Sequence, residues 1–190
     1  MANSEDNSLT PSKVFDGIWT YESKKHYDER GSTYEWFNSE VRPQIFNNYN
    51  ITQLLTSVSI KNVIRGIHFS KRSNPQFKIV KCVAGKILDV VIDLRMESPT
   101  FGKIDTFELD SKDSKSIMIS DGFGHGFQVL SDEAIVEYAI QTNFRFEDEY
   151  VINPFDSNLG IPWQGIDYVL SDKDRNAKNL DAYFSISTDL

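Results

Sequence analysis

The chain has 190 residues, which suits one domain built round one core. With 39% hydrophobic and 25% charged residues it has an ordinary globular composition, and its 13 Phe, 8 Tyr and 3 Trp offer large areas for burial. A formal net charge of −8 argues against a general binder of nucleic acid or of an anionic membrane, both of which favour a basic surface, but it leaves room for one local basic pocket.

In chain order, residues 1–13 read as a flexible polar tail without the charged-then-apolar pattern of a secretion signal, and residues 14–190 as one domain. A short helix is expected over Ser39–Phe46. From Gln76 onward the signal is β. In Ile87–Leu94 the apolar Leu88, Val90, Ile92 and Leu94 alternate with Asp89 and Asp93. Ile117 and Ile119 alternate with Ser116 and Met118, and Val136, Tyr138 and Ile140 alternate with Glu137 and Ala139. Turn residues punctuate these runs at Ser98-Pro99, Asp110–Asp113, Gly122–Gly126, Ser131-Asp132 and Asn153-Pro154. A second short helix is expected over Lys173–Asn179. Short strands between turns predict an all-β sandwich, barrel or jelly roll, and the lack of strands alternating with long helices argues against a Rossmann domain. No apolar run approaches a membrane span. Cys82, the one cysteine, excludes an intrachain disulfide and fits a reducing compartment, so a cytoplasmic location is expected.

Three histidines are available for chemistry: His26, His68 and His125. His68, in Arg65-Gly66-Ile67-His68-Phe69, is either a partly buried imidazole bonded to backbone or a functional base. His125, in Gly122-Phe123-Gly124-His125-Gly126-Phe127, is either a turn residue among permissive glycines or a ligand contact. That glycine run lacks both the GxGxxG spacing and the lysine of a phosphate loop. No two histidines stand two to four residues apart, so no metal site is expected. Cys82, between apolar neighbours, reads as an inert thiol. What remains is acid–base work by His68, Lys78, Tyr138 and an aspartate. Proton abstraction beside a carbonyl needs a base, a group to steady the enolate and an acid for return. Composition alone does not select this chemistry.

The order of the motifs does. Asp28-Glu29-Arg30-Gly31 with Glu35-Trp36-Phe37, Val63–Phe69, Gln76–Val80, Gly85–Arg95, Ser98–Lys103, Gly122–Asp132, Tyr138, Leu159–Trp163 and Leu170-Ser171-Asp172-Lys173-Asp174 occur in sequence. Together they resemble the dTDP-4-dehydrorhamnose 3,5-epimerase family over about Asp28 to Asn179. The resemblance implies a double-stranded β-helix jelly roll (cupin-like) with a few short helices. It also implies a homodimer, no cofactor or metal, and a nucleotide-diphospho-4-keto-6-deoxyhexose as substrate. By the same resemblance His68 is the base, Asp174 its dyad partner, Lys78 the residue that steadies the enolate oxygen and Tyr138 the acid on the opposite face. Asp89 is a second carboxylate expected nearby. Arg65 and His125 are implied contacts round the diphosphate and sugar. Arg30, Glu35 and Gln53 are implied nucleotide-side contacts, and Glu149 and Lys173 further ligand contacts. Asp156 reads as structural.

Three positions depart from the family pattern. Leu55 stands where the stretch opened by Gln53 commonly has asparagine, and Thr33 where an aromatic often follows Arg-Gly; both put the identity of the base in question, with thymidine as the default and cytidine or guanosine as alternatives. Phe144 replaces a tyrosine six residues after the acid, which suggests inversion at one centre, C3 or C5, instead of both. The competing readings are a keto-isomerase, a non-catalytic binding jelly roll and a metal-dependent oxygenase.

Overall fold

The computed structural model describes residues 8–47, 50–70, 76–141 and 149–184. The strands are β1 (Ser8–Pro11), β2 (Ile18–Glu22), β3 (His26–Asp28), β4 (Gly31–Thr33), β5 (Gln53–Ile60), β6 (Ile64–Ser70) and β7 (Lys78–Ala84). They continue as β8 (Lys86–Asp93), β9 (Ile104–Asp110), β10 (Ser116–Ile119), β11 (Phe123–Val129), β12 (Glu133–Ile140) and β13 (Glu149–Val151). A six-stranded sheet has the order β1-β2-β10-β7-β12-β5, a five-stranded sheet the order β13-β6-β11-β8-β9, and β3-β4 stands apart as a hairpin. All these pairings are antiparallel. The result is the expected jelly roll.

Burial explains which runs become strands. Side chains from both sheets meet in an inner core that includes Val80, Cys82, Val136, Ile117, Ile87, Val91, Phe123 and Phe127. The outer face of the five-stranded sheet is covered too: Leu88, Val90, Ile92 and Leu94 pack with Ile152, Leu159 and Trp163 of the C-terminal segment. The alternation in β8 is therefore real, but its aspartate face is not solvent. Asp89 and Asp93 are both fully buried between the sheets. The chain passes from β7 in one sheet to β8 in the other through Gly85 (φ +74°), where a Cβ would stand 2.1 Å from the Glu133 carbonyl oxygen, so only glycine fits the crossing.

Three local expectations are corrected. Ser8–Pro11, assigned from sequence to a flexible tail, is a strand paired with β2. Ser39–Phe46 yields only a 3-10 turn at Gln44–Phe46, beginning after Pro43. Lys173–Asn179 shortens to a single α-helical turn, α1 (Asp172–Arg175), capped by Ser171, whose hydroxyl accepts from the Asp174 N–H. Among the described residues, no helix is long and apolar enough to cross a membrane.

Candidate active site

A cavity of about 480 Å³ opens between the sheets, lined by Leu55, Ser57, Arg65, His68, Gln76, Lys78, His125, Tyr138 and Glu149 among others. Six of the residues singled out from sequence thus meet in one place. Lys78 and Tyr138 come from β7 and β12 of one sheet; His68 and His125 come from β6 and β11 of the other, at directly paired positions.

His68 is oriented from behind. Its Nε2 lies 2.8 Å from Asp174 Oδ1. Asp174 is held at the start of α1 by the Ser171 cap and also accepts from the Gly66 N–H. Burial alone would raise the Asp174 pKa. The hydrogen bond and charge of His68, with the bonds from Ser171 and Gly66, outweigh it and hold the carboxyl below its ordinary value. With Nε2 committed to Asp174, Nδ1 is the other ring nitrogen of His68, and it lies 3.8 Å from Glu149 Oε1. Lys173 Nζ reaches the Glu149 carbonyl at 3.2 Å and Oε2 at 3.6 Å, tying α1 to β13 beside His68.

The other groups have contrasting electrostatics. Burial pulls the Lys78 pKa down to about 8, against the raising effect of Glu149, Asp89 and Asp121. Burial, then the charges of Asp89 and Glu149, pushes the Tyr138 phenol far above its usual value, with Arg65 opposing; it stays protonated at any physiological pH. His125 is pulled down by burial, with Lys78 and His68 adding to the effect and Asp89 countering it. Its Nε2 lies 2.8 Å from Asp89 Oδ2, and its ring meets the Tyr138 ring edge-on at 6.0 Å. Arg65 is braced across the cavity by its Nε bond to Ser59 Oγ, 2.9 Å.

The placement of Arg65 and His68 depends on an irregularity in β6. Residues three apart on a strand normally face opposite sides. Here His68 pairs with His125 but Arg65 pairs with Phe127, so β6 carries one extra residue against β11. Gly66 sits in this bulge at φ +117°, and a Cβ there would stand 2.7 Å from Gly126 Cα and 2.8 Å from the His125 carbonyl oxygen. Two glycines in contact let both side chains reach the cavity.

Four expected contacts do not line this cavity: Lys173, which stands behind Glu149, and three that lie elsewhere. Arg30 is on the β3–β4 hairpin, its side chain 86% exposed and paired with Asp28. Glu35 accepts from the Tyr21 hydroxyl at 2.5 Å and from Asn38 Nδ2 at 3.2 Å. Gln53 begins β5, opposite Ile140. Thr33 lies on the exposed hairpin, whereas Leu55 lines the cavity directly opposite Tyr138. Phe144 lies outside the described residues. Asp156 is structural, as read from sequence: it is buried and accepts from the Leu180 and Asn158 N–H groups. Asp93 is likewise held by Arg95, Ser98 and Thr100; despite burial, these bonds lower its pKa to about 2.

Sequence reasoning did not single out Ser57, Ser59 or Gln76. Their signal was present, because Ser57 and Ser59 alternate with apolar residues in β5, but the polarity of that strand is inverted. Gln53, Leu55, Ser57 and Ser59 turn inward, while Leu54, Val58 and Ile60 are 72%, 56% and 62% exposed. Among the described residues no group of three or more His, Cys, Asp or Glu is arranged to hold a metal ion.

Comparison with known proteins identifies the family. The family model for dTDP-4-dehydrorhamnose 3,5-epimerase matches residues 12–182. A dTDP-4-dehydro-6-deoxyglucose 3-epimerase from a Streptomyces species is 36% identical over 167 residues, covering 87% of this chain and 85% of that protein. A dTDP-4-dehydrorhamnose 3,5-epimerase from Mycolicibacterium smegmatis is 37% identical over 166 residues, covering 86% and 82%. The crystal structure of a dTDP-6-deoxy-D-glucose-3,5-epimerase from Legionella pneumophila in complex with dTDP-4-keto-L-rhamnose superposes with a TM-score of 0.87 at 33% identity, covering 92% of this chain and 93% of that one. Matched along most of its length in both sequence and fold, the chain belongs to the dTDP-4-dehydrorhamnose 3,5-epimerase family, a family of isomerases.

Proposed function

We propose that the protein inverts C3, C5 or both in a nucleotide-diphospho-4-keto-6-deoxyhexose, with a dTDP sugar as the default substrate. The observation that carries this reading is the origin of base and acid: His68 and Tyr138 reach one cavity from opposite sheets. Both carbons flank the C4 ketone, so their C–H bonds are acidified. His68 Nδ1 takes the proton, and the C–H electron pair moves to form an enolate at O4. The charge on Lys78 stabilises that oxygen. The Tyr138 hydroxyl then protonates the same carbon from the other face, leaving it inverted. Solvent takes the proton from His68 and restores the one on Tyr138. Each step is a proton transfer that these side chains can perform. Arg65 and Lys173 supply positive charge for the diphosphate within a chain of net charge −8.

A homodimer is part of the proposal. β5 is an edge strand with an exposed apolar row, a surface that proteins ordinarily cover. Arg30 and Glu35 lie off their own chain's cavity, and in a dimer they would serve the partner's nucleotide. The single, buried Cys82 suits a reducing cytoplasm.

The test is incubation with dTDP-4-keto-6-deoxyglucose in deuterated water, followed by NMR at C3 and C5. Deuterium at both carbons identifies a 3,5-epimerase. Deuterium at one identifies the restricted enzyme that Phe144 suggests. No exchange with dTDP, CDP or GDP sugars by folded protein overturns the epimerase reading.

A further inference from the structure

The proposed reaction uses one histidine–aspartate pair, yet the cavity has two. Asp89 lies on the inward face of β8 between Ile87 and Val91, 0% exposed. A carboxylate there is costly unless fully bonded. Its Oδ2 takes one hydrogen bond, from His125 Nε2 at 2.8 Å, while its Oδ1 is buried with no hydrogen-bond partner. A hydrophobic residue would serve packing better at this position. The carboxylate therefore needs a reason beyond the core, and its one bonded partner is a residue that lines the cavity.

We propose that Asp89 is a positioning residue: by accepting the Nε2 proton of His125, it fixes the tautomer in which Nδ1 offers a bare lone pair to a hydroxyl of the bound sugar. In neutral imidazole one nitrogen donates and the other accepts, and the bond made by one decides the role of the other. A carboxylate only accepts, so Nε2 must carry the proton. The burial of His125 and the nearby cationic Lys78 both favour the neutral ring. His125 then acts as an acceptor that orients the sugar, leaving Lys78 to meet the enolate oxygen. The cross-strand pairing of His125 with His68 sets this acceptor beside the base. This assignment rests on the epimerase reading for its substrate, but the tautomer does not.

The test begins without substrate. The chain has 3 histidines, so side-chain 15N spectra of histidine-labelled protein can be assigned by replacing His26 and His68 in turn. His125 should be the Nε2–H tautomer in the native protein. In D89N it should be mixed or reversed, because an amide can donate as well as accept. D89N should lower kcat about 10- to 100-fold, the usual effect of losing the partner that orients a functional histidine. Its dTDP affinity should stay within about twofold and its Tm should be unchanged or higher. H125Q and D89N/H125Q should be equally impaired, because Asp89 acts through His125. An Nδ1–H tautomer in the native protein, native turnover in D89N, or additive losses in the double variant would each overturn the assignment. A fall in Tm and dTDP affinity in parallel with activity would instead make Asp89 structural. If the native protein exchanges no proton on any 4-keto sugar nucleotide, the epimerase reading fails, and the tautomer result still decides the role of Asp89.

Discussion

The two histidine–aspartate pairs have similar contact distances in very different settings. His68 and Asp174 are 106 residues apart, joined only when the turn at α1 docks against β6. His125 and Asp89 sit on adjacent strands of one sheet. The His68 side chain is 29% exposed and that of His125 5%. A base must exchange its proton with solvent after every turnover, so it needs an open side. A fixed hydrogen-bond partner needs the reverse. Here exposure, more than residue type, separates the two proposed roles.

Removing the open histidine should have the largest effect. His68→Ala should lower kcat by about 10³-fold or more and abolish deuterium incorporation, with a drop in Tm because buried Asp174 loses the partner that holds its carboxylate. A residual rate within tenfold of native would make His125 the base. Tyr138→Phe comes next. Inversion should fall by about 10²-fold or more, while deuterium still enters the substrate with retained configuration. NMR of recovered substrate separates the two, and full inversion in that variant would remove Tyr138 from the acid role.

Lys78 sharpens the contrast through pH. With its pKa near 8, the ammonium is lost above about pH 8, so kcat/KM should fall there, and Lys78→Met should remove that limb along with most activity. Stability should move the other way. Folded Lys78 and Lys81 release protons near pH 8, whereas an unfolded lysine holds its proton to about 10.4. The unfolded state binds more protons across that window, so stability rises with pH as activity falls. Denaturation curves at pH 7.5 and 9.5 check the sign.

Asp174→Asn should cost about 10- to 100-fold in kcat. The folded pKa of Asp174 lies below its ordinary value, so its stabilisation is present above the ordinary carboxylate range and is lost as pH falls through the lower folded value. The variant should lack that part of the acid transition. The mildest change is Arg30→Ala, which should raise KM several-fold and leave kcat near native. Mixing Arg30→Ala with His68→Ala chains should return KM to its native value if Arg30 serves a partner's cavity, because each mixed dimer then has one intact site. No restoration in verified mixed dimers would place Arg30 in its own chain's site.

Much of this was legible in the sequence. The strands of the inner core obey the period-two rule, and the family resemblance named His68, Lys78, His125, Tyr138, Glu149 and Asp174, which the fold then brings together. β5 was less legible because Ser57 and Ser59 face inward while Leu54, Val58 and Ile60 face outward, the reverse of what core packing teaches. The aspartates of β8 misled in a related way, since alternation reports two different faces without saying that one is wet. Ser8–Pro11 is held by backbone pairing with β2, which composition does not register. Arg30 and Glu35 were legible as motif, yet their distance from the cavity is a matter of tertiary placement.

The bulge at Gly66 gives the motif its grammar. Arg65 and His68 are separated by an odd number of steps, and a regular strand would send one of them into the outer layer against Leu159 and Trp163. The strand changes phase once, at the residue where two glycine backbones touch. Losing one residue between arginine and histidine would restore the normal phase of β6 and leave both side chains reading inward only if the bulge vanished with it. Substituting Gly66 would keep the count while displacing the backbone. The spacing of the motif is therefore a phase marker of the sheet, and a change in length there carries a different message from a change in letter.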